Sequence, residues 1–318
     1  MKKIIVTGSC GFIGFHLSRK LCELGYHVIG IDNFSGTNTN LMKSRLSILK
    51  KLKNFKFEKK NLSQKFKLRN KGKFLALIHL AAKPGVRESI LNPQIYFDNN
   101  LVAFFNILEF SRNNNIKNFF YASSSSVYGG INFKDNQKTK LNPKSFYGLT
   151  KVLGENLLQF YSANSNIKIL SMRFFTVYGS FGRPDMIYYN FLLKEKNKEK
   201  IYLFNKGNNK RSFTFIDDLL YCIKELIKNR SKIFKNKNYE CFNIGNDKYY
   251  SVNDLIQIYK SISNQSLNFK IVNLDSKDID PYMTRSNNKK LFTHIKKIKF
   301  KPLVDGLQIF KKWFEANH

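Results

Sequence analysis

The chain has 318 residues and a net charge of +33 at pH 7, so it is long enough to bury a large core as one α/β unit or two lobes. Its four cysteines (Cys10, Cys22, Cys222 and Cys241) lack the spacing of a metal site or a disulfide framework, which excludes a disulfide-stapled scaffold and suits a reducing cytoplasm. No apolar run approaches membrane-spanning length and no signal peptide precedes the first strand, so no membrane role is expected. The cysteine spacing gives no reason to expect a metal.

The positive charge is spread over the whole chain. Lysines are interleaved with Asn, Ile and Phe in every predicted element, and runs such as residues 50–53 and 194–198 are typical of solvated helix faces. We therefore expect no specific nucleic-acid partner, only salt-sensitive, non-specific binding to polyanions. The charge suits an anionic substrate without identifying one.

Three glycines, spaced three residues apart, follow the first apolar run. Residues 4–7 predict a buried strand, Gly8, Gly11 and Gly14 predict a tight turn, and the amphipathic stretch after them predicts a helix. Such a turn lets the backbone approach a pyrophosphate, and the helix N-terminus faces the phosphates. A glycine triplet alone also fits an ordinary loop, so its context decides.

That context continues with a second predicted strand, residues 28–31, which ends at Asp32. A carboxylate in this place accepts hydrogen bonds from a ribose 2′-hydroxyl and repels a 2′-phosphate. The order of strand, glycines, helix, strand and acid therefore indicates a dinucleotide site and favours NAD over NADP.

Strands and helices alternate as far as residue 179. Further strands are predicted at 55–58, 75–80, 118–122 and 168–174, and helices at 96–112 and 147–161. This alternation predicts an α/β fold, a Rossmann-type doubly wound parallel sheet, with ligands at the carboxyl ends of its strands. We assign residues 1–179 to an NAD-binding domain.

Beyond residue 179 the pattern is less regular. Short strands are predicted at 201–204, 213–216, 240–244 and 268–272, and helices at 217–228, 252–261 and 304–314; residues 131–140 predict a loop. We assign residues 180–318 mostly to a smaller C-terminal α/β substrate-binding lobe, some of whose elements return to the sheet.

Tyr147 and Lys151 are the second signal in the chain. On a helix they share one face, so a phenol and an ammonium point the same way. A nearby cation favours the phenolate, which makes Tyr147 a base for a sugar hydroxyl. The alternative, a Tyr and a Lys that merely share a surface face, loses ground because a dinucleotide fingerprint precedes them.

Four serines, residues 123–126, follow the strand before the Tyr147 helix, and Val127, Tyr128 and Gly129 come next. Their hydroxyls are expected at the same sheet edge, where one of them relays a proton between substrate and Tyr147. The residue pattern does not choose among the four, and a plain serine-rich loop is the alternative.

These motifs together resemble the extended short-chain dehydrogenase/reductases, and closely the UDP-glucuronate 4-epimerases. The resemblance runs almost end to end and is narrowest at residues 85–87, 173–179 and 182–186. It implies a bound NAD that takes the C4 hydride and returns it to the other face of a 4-keto sugar. It also implies a homodimer in the cytoplasm and a UDP-sugar substrate.

The resemblance also assigns roles to residues of this chain. Catalytic roles fall to Tyr147, Lys151 and Ser124. Cofactor contacts fall to Gly8, Gly11, Phe12, Ile13, Gly14, Asp32, Asn33, Asn61, Leu62, Leu80, Ala81, Ala82 and Lys151. Substrate contacts fall to Arg87, Ser124, Ser125, Ser126, Tyr147, Thr176, Arg183 and Arg211, with Thr176 and Arg183 near the sugar carboxylate and Arg211 at the diphosphate.

Sister reactions differ in the residues before Val127. The related dehydratases carry an Asp-Glu pair there and the decarboxylases a Glu, whereas this chain has Ser125 and Ser126. Without a carboxylic acid, the pocket is suited to return the hydride unchanged. The chain departs from the usual residues at Asn61, Lys83, Ser212, Arg285 and Ser286.

Three functional hypotheses remain open from the sequence. The first is 4-epimerisation of UDP-glucuronate. The second is 4-epimerisation of a neutral UDP-hexose, such as UDP-glucose or UDP-N-acetylglucosamine. The third is a basic Rossmann scaffold that binds RNA or another polyanion; the presence of Tyr147, Lys151, Ser124 and Asp32 together weighs against it.

Overall fold

The computed structural model describes residues 2–36, 38–70, 72–130, 140–263, 271–274 and 283–318, and for residues 271–274 the backbone alone. Apart from residue 140, the predicted loop at 131–140 lies outside the described residues. The strands are β1 Lys3–Thr7, β2 His27–Asp32, β3 Phe55–Lys59, β4 Phe74–His79, β5 Asn118–Ser124, β6 Lys168–Phe174, β7 Thr176–Tyr178, β8 Ile201–Phe204, β9 Lys210–Arg211, β10 Phe213–Phe215, β11 Tyr239–Ile244, β12 Tyr250–Ser251 and β13 Ile271–Leu274.

The helices alternate with these strands. They are α1 Phe12–Glu23, α2 Thr39–Lys50, α3 Glu88–Leu91, α4 Pro93–Phe97, α5 Ala103–Asn113, α6 Phe146–Asn164, α7 Ile187–Lys196, α8 Ile216–Ile233, α9 Val252–Ile262 and α10 Leu303–Asn317. Shorter turns complete the described chain: a π-helical turn at Asp98–Val102 and 3₁₀ turns at Ser125–Tyr128, Asn205–Gly207 and Leu291–Thr293.

Seven strands of the described chain form one parallel sheet in the order β11-β6-β5-β4-β1-β2-β3. Side chains of a strand alternate between its faces, so Ile4 and Val6 lie in one core with Phe15, and Ile5 lies in a second core with Phe104. Helices cover both faces, which explains why the strands are almost continuously apolar. The predicted Rossmann-type doubly wound sheet is confirmed.

The strand order reverses at β1, which lies between β2 and β4. Loops from neighbouring strands separate at such a point and leave a crevice at the carboxyl ends. After β6 the chain forms the small pairs β7–β10, β8–β13 and β9–β12, and β11 then returns to the sheet beside β6. The division at residue 179 stays a prediction.

Two predicted elements differ from the structure. The helix predicted at 96–112 is interrupted by the π-helical turn, which carries Asn100. This buried side chain accepts from Lys83 N at 2.7 Å and donates to Thr150 Oγ1 at 3.2 Å, and the wider turn accommodates it. The strand predicted at 268–272 is β13, Ile271–Leu274; residues 268–270 lie outside the described part. Within the described ranges, every helix is too short or too polar to span a bilayer.

Candidate active site

The glycine turn joins β1 to α1 at the carboxyl edge of the sheet. Gly8 has a φ of +69°, and a Cβ on Gly14 would lie 2.0 Å from the carbonyl oxygen of Gly8, so neither position tolerates a side chain without backbone movement. A Cβ on Gly11 would come no nearer than 3.1 Å to that oxygen. Gly11 is also the N-cap of α1 and leaves the first N–H groups of the helix to another acceptor.

Asp32 ends β2 beside this turn and is buried. Its Oδ2 accepts from Cys10 N and its Oδ1 from Phe34 N, both at 2.9 Å. Burial raises the pKa of Asp32, and these hydrogen bonds oppose the rise. The carboxylate is thereby fixed in orientation, and each oxygen keeps a lone pair for a ribose hydroxyl.

Residues 80–82 follow β4 and pass directly over Gly8. The N–H groups of Leu80 and Ala81 both donate to Thr7 Oγ1 at 3.2 Å, and the Thr7 hydroxyl is hydrogen-bonded to His79 Nδ1 at 2.8 Å. Burial lowers the pKa of His79 to about 3, with the Lys151 cation adding to this effect. His79 is therefore a neutral core residue.

The remaining predicted cofactor residues lie at the same edge or beneath it. Phe12 and Ile13 open α1, and Asn33 follows Asp32. Leu62 is buried in the core, and Asn61 Oδ1 accepts from Ser63 N at 3.1 Å. The glycine turn, the α1 N-terminus without a side-chain cap and the oriented Asp32 carboxylate fit the pyrophosphate and ribose of a dinucleotide.

Tyr147 and Lys151 lie on the first turns of α6, which starts at its N-cap Ser145. A Cβ on Gly148 would lie 2.6 Å from Ser126 O, so the helix packs directly on the turn after β5. Lys151 is buried, donates from Nζ to Ala122 O at 2.8 Å and lies 5.8 Å from the centroid of the Tyr147 ring. The two residues therefore share one face of the helix, as predicted.

The structure distinguishes the four serines. The Ser124 hydroxyl is hydrogen-bonded to the Tyr147 phenol. It also accepts from Ser126 N at 3.1 Å, at the start of the 3₁₀ turn that contains Ser125. The Ser123 hydroxyl lies on the other face of β5 and donates to Glu155 Oε1 at 2.5 Å. Ser124 is thus the serine in contact with Tyr147.

Charges near the phenol act in opposite directions. Burial raises the pKa of Tyr147, whereas the hydrogen bond with Ser124 and the cation of Arg183 lower it. Burial lowers the pKa of Lys151 to about 7, and the Glu155 carboxylate opposes this. Near neutral pH, small changes around Lys151 therefore shift its proton.

Arg183 is a second predicted substrate residue near Tyr147, where its cation opposes the rise that burial causes in the pKa of the phenol. Its guanidinium forms a two-pronged pair with Asp185, at 3.1 Å from Nε and 2.5 Å from Nη2. Thr176 is the first residue of β7, and Arg211 lies in β9 opposite Tyr250 of β12. The guanidinium carbon of Arg87 lies 3.3 Å from the centroid of the Phe204 ring.

The positions that depart from the family pattern have local partners. The Ser212 hydroxyl donates to Asn246 O, and Arg285 Nε donates to Asp247 O at 3.0 Å. Ser286 Oγ donates to Asn288 Oδ1 at 2.8 Å, and the Lys83 backbone is held by Asn100. These side chains therefore stabilise loops of the described chain.

Sequence reasoning missed three buried polar residues around the site: Glu155, Arg173 and Arg45. Glu155 follows Lys151 by one helical turn, so its i+4 spacing was a usable signal. Arg173 pairs with Glu155, at 2.6 Å between Nη2 and Oε2. Arg45 contacts residues more than 130 positions away in the sequence, and the local sequence pattern does not predict such a contact.

Comparisons with known proteins agree with this geometry. The profile of the NAD dependent epimerase/dehydratase family matches residues 4–245. Protein CapI of Staphylococcus aureus is 35% identical over 98% of both chains, and a UDP-glucuronate 4-epimerase of Thermodesulfobacterium geofontis is 32% identical over 98% of this chain and 96% of its own. The UDP-glucuronic acid 4-epimerase of Bacillus cereus, crystallised with UDP-glucuronic acid and NAD, has a TM-score of 0.88 and 30% identity, covering 99% of this chain and 100% of that chain. The chain therefore belongs to the NAD dependent epimerase/dehydratase family.

Proposed function

We propose that the protein catalyses the NAD-dependent 4-epimerisation of a UDP-sugar and converts UDP-glucuronate to UDP-galacturonate. The observation that carries this proposal is the environment of Tyr147. Its phenol is hydrogen-bonded to Ser124, has Lys151 on the same helix face and is influenced by the Arg183 cation. A phenol, its hydroxyl partner, a lysine and an arginine cation thus meet at one site.

Each residue has a defined task in this reaction. Gly8, Gly11 and Gly14 hold the pyrophosphate and Asp32 holds a ribose of NAD, which supplies a hydride acceptor and donor at C4 of the sugar. Tyr147 removes the proton of the C4 hydroxyl and later returns one.

Ser124 stabilises the C4 oxygen while its proton moves, because its hydroxyl is bonded to Tyr147. Lys151 favours the phenolate and holds the nicotinamide ribose.

The substrate is held at both of its ends. Arg183 and Thr176 bind the sugar carboxylate and Arg211 binds the diphosphate, since a guanidinium forms two parallel hydrogen bonds to either anion. Arg87 is a further residue near the substrate. Ser125 and Ser126 offer hydroxyls where elimination would need a carboxylic acid. These hydroxyls do not assist elimination, which suits a reaction in which bound NAD would return the hydride to C4.

The deciding experiment incubates the purified protein with UDP-glucuronate and, separately, with UDP-glucose, and separates the products. We expect UDP-galacturonate to form without accumulation of NADH. Tyr147→Phe should lower kcat by about a hundredfold to ten-thousandfold. Tyr161→Phe, on the same helix, removes a phenol hydroxyl that donates to Glu109 and should leave kcat unchanged. Near-normal turnover by Tyr147→Phe would refute the mechanism.

A neutral UDP-hexose is the second candidate substrate, because Asp185 neutralises part of the Arg183 charge. Arg183→Ala separates the two candidates. A loss of roughly tenfold to a hundredfold in kcat/KM for UDP-glucuronate alone supports the carboxylated sugar. Equal activity of the wild type and Arg183→Ala with UDP-glucuronate, or turnover of UDP-glucose alone, supports the neutral UDP-hexose as substrate. No turnover of either sugar, with binding to RNA, would support the polyanion-binding scaffold.

We also propose that the enzyme is a cytoplasmic homodimer. An apolar face formed by the π-helical turn and helices α4, α5 and α6 lies on the surface, with Phe160 62% and Phe105 46% exposed. Its lining is uncharged: Phe97, Leu101, Val102, Phe105, Leu153, Asn156, Leu157 and Phe160. Two copies of a chain with a net charge of +33 repel each other, so an uncharged face suits a self-interface. The four free thiols suit a reducing compartment.

A further inference from the structure

Three consecutive carbonyl groups, those of residues 180–182, are held by two buried side chains that come from distant helices. His16 Nε2, on α1, donates to Ser180 O at 2.8 Å. Arg45 Nη2, on α2, donates to Phe181 O at 2.6 Å and to Gly182 O at 3.0 Å. We call residues 180–182 the substrate arm, because Arg183 follows it directly.

Arg45 is 3% exposed, and its guanidinium donates to backbone oxygens. Besides the two in the arm, Nη1 donates to Cys10 O at 2.9 Å, in the glycine turn. Burial lowers the pKa of Arg45 to about 10, so the group remains charged at neutral pH. Burying a cation costs free energy, and hydrogen bonds to carbonyl groups offset part of that cost. The guanidinium of Arg45 has five N–H donors in a planar fork, so it can hold several carbonyl groups at once.

The arm has a conformation that needs support. Phe181 has a φ of +54°, a backbone region that a bulky residue adopts at a cost. Its ring packs against Phe15 and Trp313, with centroids 5.0 and 4.9 Å away. A Cβ on Gly182 would lie 1.8 Å from the Tyr188 hydroxyl, so the arm packs directly against α7.

We propose that Arg45 is a positioning residue that sets the place of Arg183 at the sugar carboxylate. The proposal rests on the proposed function, in which Arg183 binds that carboxylate. Arg45 joins the glycine turn to the arm, and Cys10 of that turn also donates to Asp32. One guanidinium thus fixes the carboxylate-binding arginine relative to the turn that faces the cofactor.

The test compares two constants that separate the sugar from the nucleotide. KM for UDP-glucuronate depends on the carboxylate contact, whereas the inhibition constant of UDP, which has no sugar, does not. Arg45→Lys keeps the charge but loses the fork of donors. We expect it to raise KM roughly tenfold and to leave the inhibition constant of UDP within about twofold. His16→Leu, which frees only Ser180 O, should change KM in the same direction by less.

A double-mutant cycle then identifies the residue through which Arg45 acts. In the Arg183→Ala background, Arg45→Lys should cause no further rise in KM, because the group that it positions is gone. Arg19→Lys, an exposed arginine on α1 paired with Glu23, is the matched control and should leave both constants unchanged.

Three results would overturn this inference alone: equal changes in KM and in the UDP constant, fully additive effects with Arg183→Ala, or no change in KM. Wild-type turnover of UDP-glucuronate reports separately on the proposed function. Its absence would overturn that function and this inference together.

Discussion

Arg173 of β6 and Glu155 of α6 form a two-pronged ion pair. Arg173 Nε donates to Oε1 at 2.9 Å and Nη2 to Oε2 at 2.6 Å, and Ser123 Oγ donates to the same carboxylate. Glu155 lies one turn after Lys151, and Ser123 directly precedes Ser124. The pair therefore fixes α6 against β5 and β6 at the point where Tyr147 meets Ser124.

Breaking this pair should destabilise the fold, because the remaining charge stays buried. We expect Glu155→Gln or Arg173→Met to lower the free energy of unfolding by about 3–5 kcal/mol, as measured by urea denaturation. The double variant Glu155→Gln/Arg173→Met should lose less than the sum of the single losses. Lys311→Met breaks the exposed pair with Glu315 and should leave the urea midpoint unchanged. Additive losses would contradict this reading.

Alanine substitutions at Gly11 and Gly14 should weaken NAD binding for different physical reasons. In Gly14→Ala the new methyl group collides with backbone, so we expect the melting temperature to fall and NAD binding to be lost. In Gly11→Ala the methyl group would lie 3.1 Å from Gly8 O, a close contact that a backbone shift of a few tenths of an ångström relieves, and it would occupy space at the proposed pyrophosphate site. This variant should keep nearly the wild-type melting temperature and still bind NAD more weakly, as measured by calorimetry. A Gly11→Ala protein with normal NAD affinity would place the pyrophosphate elsewhere.

The lowered pKa of Lys151 should appear in the pH dependence of stability. Lysine binds its proton up to about 10.5 in the unfolded chain but only to about 7 in the folded one. Between these values the unfolded state binds more protons, so stability rises with pH, by at most about 1.4 kcal/mol per pH unit.

Urea titrations from pH 7 to 8.5 test this expectation. This window lies below the ordinary pKa of the cysteines, whose folded-state pKa is raised by burial and which act in the opposite sense at higher pH. The urea midpoint of the wild type should rise across it, and Lys151→Met should show a smaller rise. Parallel curves for the two proteins would contradict the assignment.

The apolar face of α4, α5 and α6 should be a dimer interface. Phe160→Glu places a charge at its most exposed aromatic position, and we expect it to yield a monomer by analytical ultracentrifugation. Ile309→Glu, at an exposed position on α10 outside this face, should sediment as the wild type does. A monomeric wild type would refute the homodimer directly.

Local spacing predicted much of the site. The i, i+4 spacing of Tyr147 and Lys151 and the order of strand, glycines and acid depend on neighbours in the chain, so the sequence reveals them. The choice among residues 123–126 depends on which hydroxyl lies at the end of β5 beside Tyr147, because both Ser123 and Ser124 contact α6, and the sequence pattern does not reveal this.

The contacts of Arg45 and Arg173 could not be predicted, since each joins segments that only the tertiary fold brings together. The π-helical turn escaped prediction for the same reason: the backbone partners of Asn100 are provided by the loop after β4. The apolar periodicity of residues 96–112 predicts a regular helix and gives no sign of this turn.

Strand β11 delays completion of the seven-stranded sheet during synthesis of the chain. It pairs with β6 through residues 239–244, so the sheet that carries the glycine turn lacks its last strand until the chain beyond Ile244 has left the ribosome. Until then β6 presents an open edge of Met172, Phe174 and their neighbours, which another chain is able to pair with. The nascent polypeptide therefore carries an unpaired β6 edge from the synthesis of residue 174 to that of residue 244, and truncation before residue 239 should yield aggregates instead of a free nucleotide-binding domain.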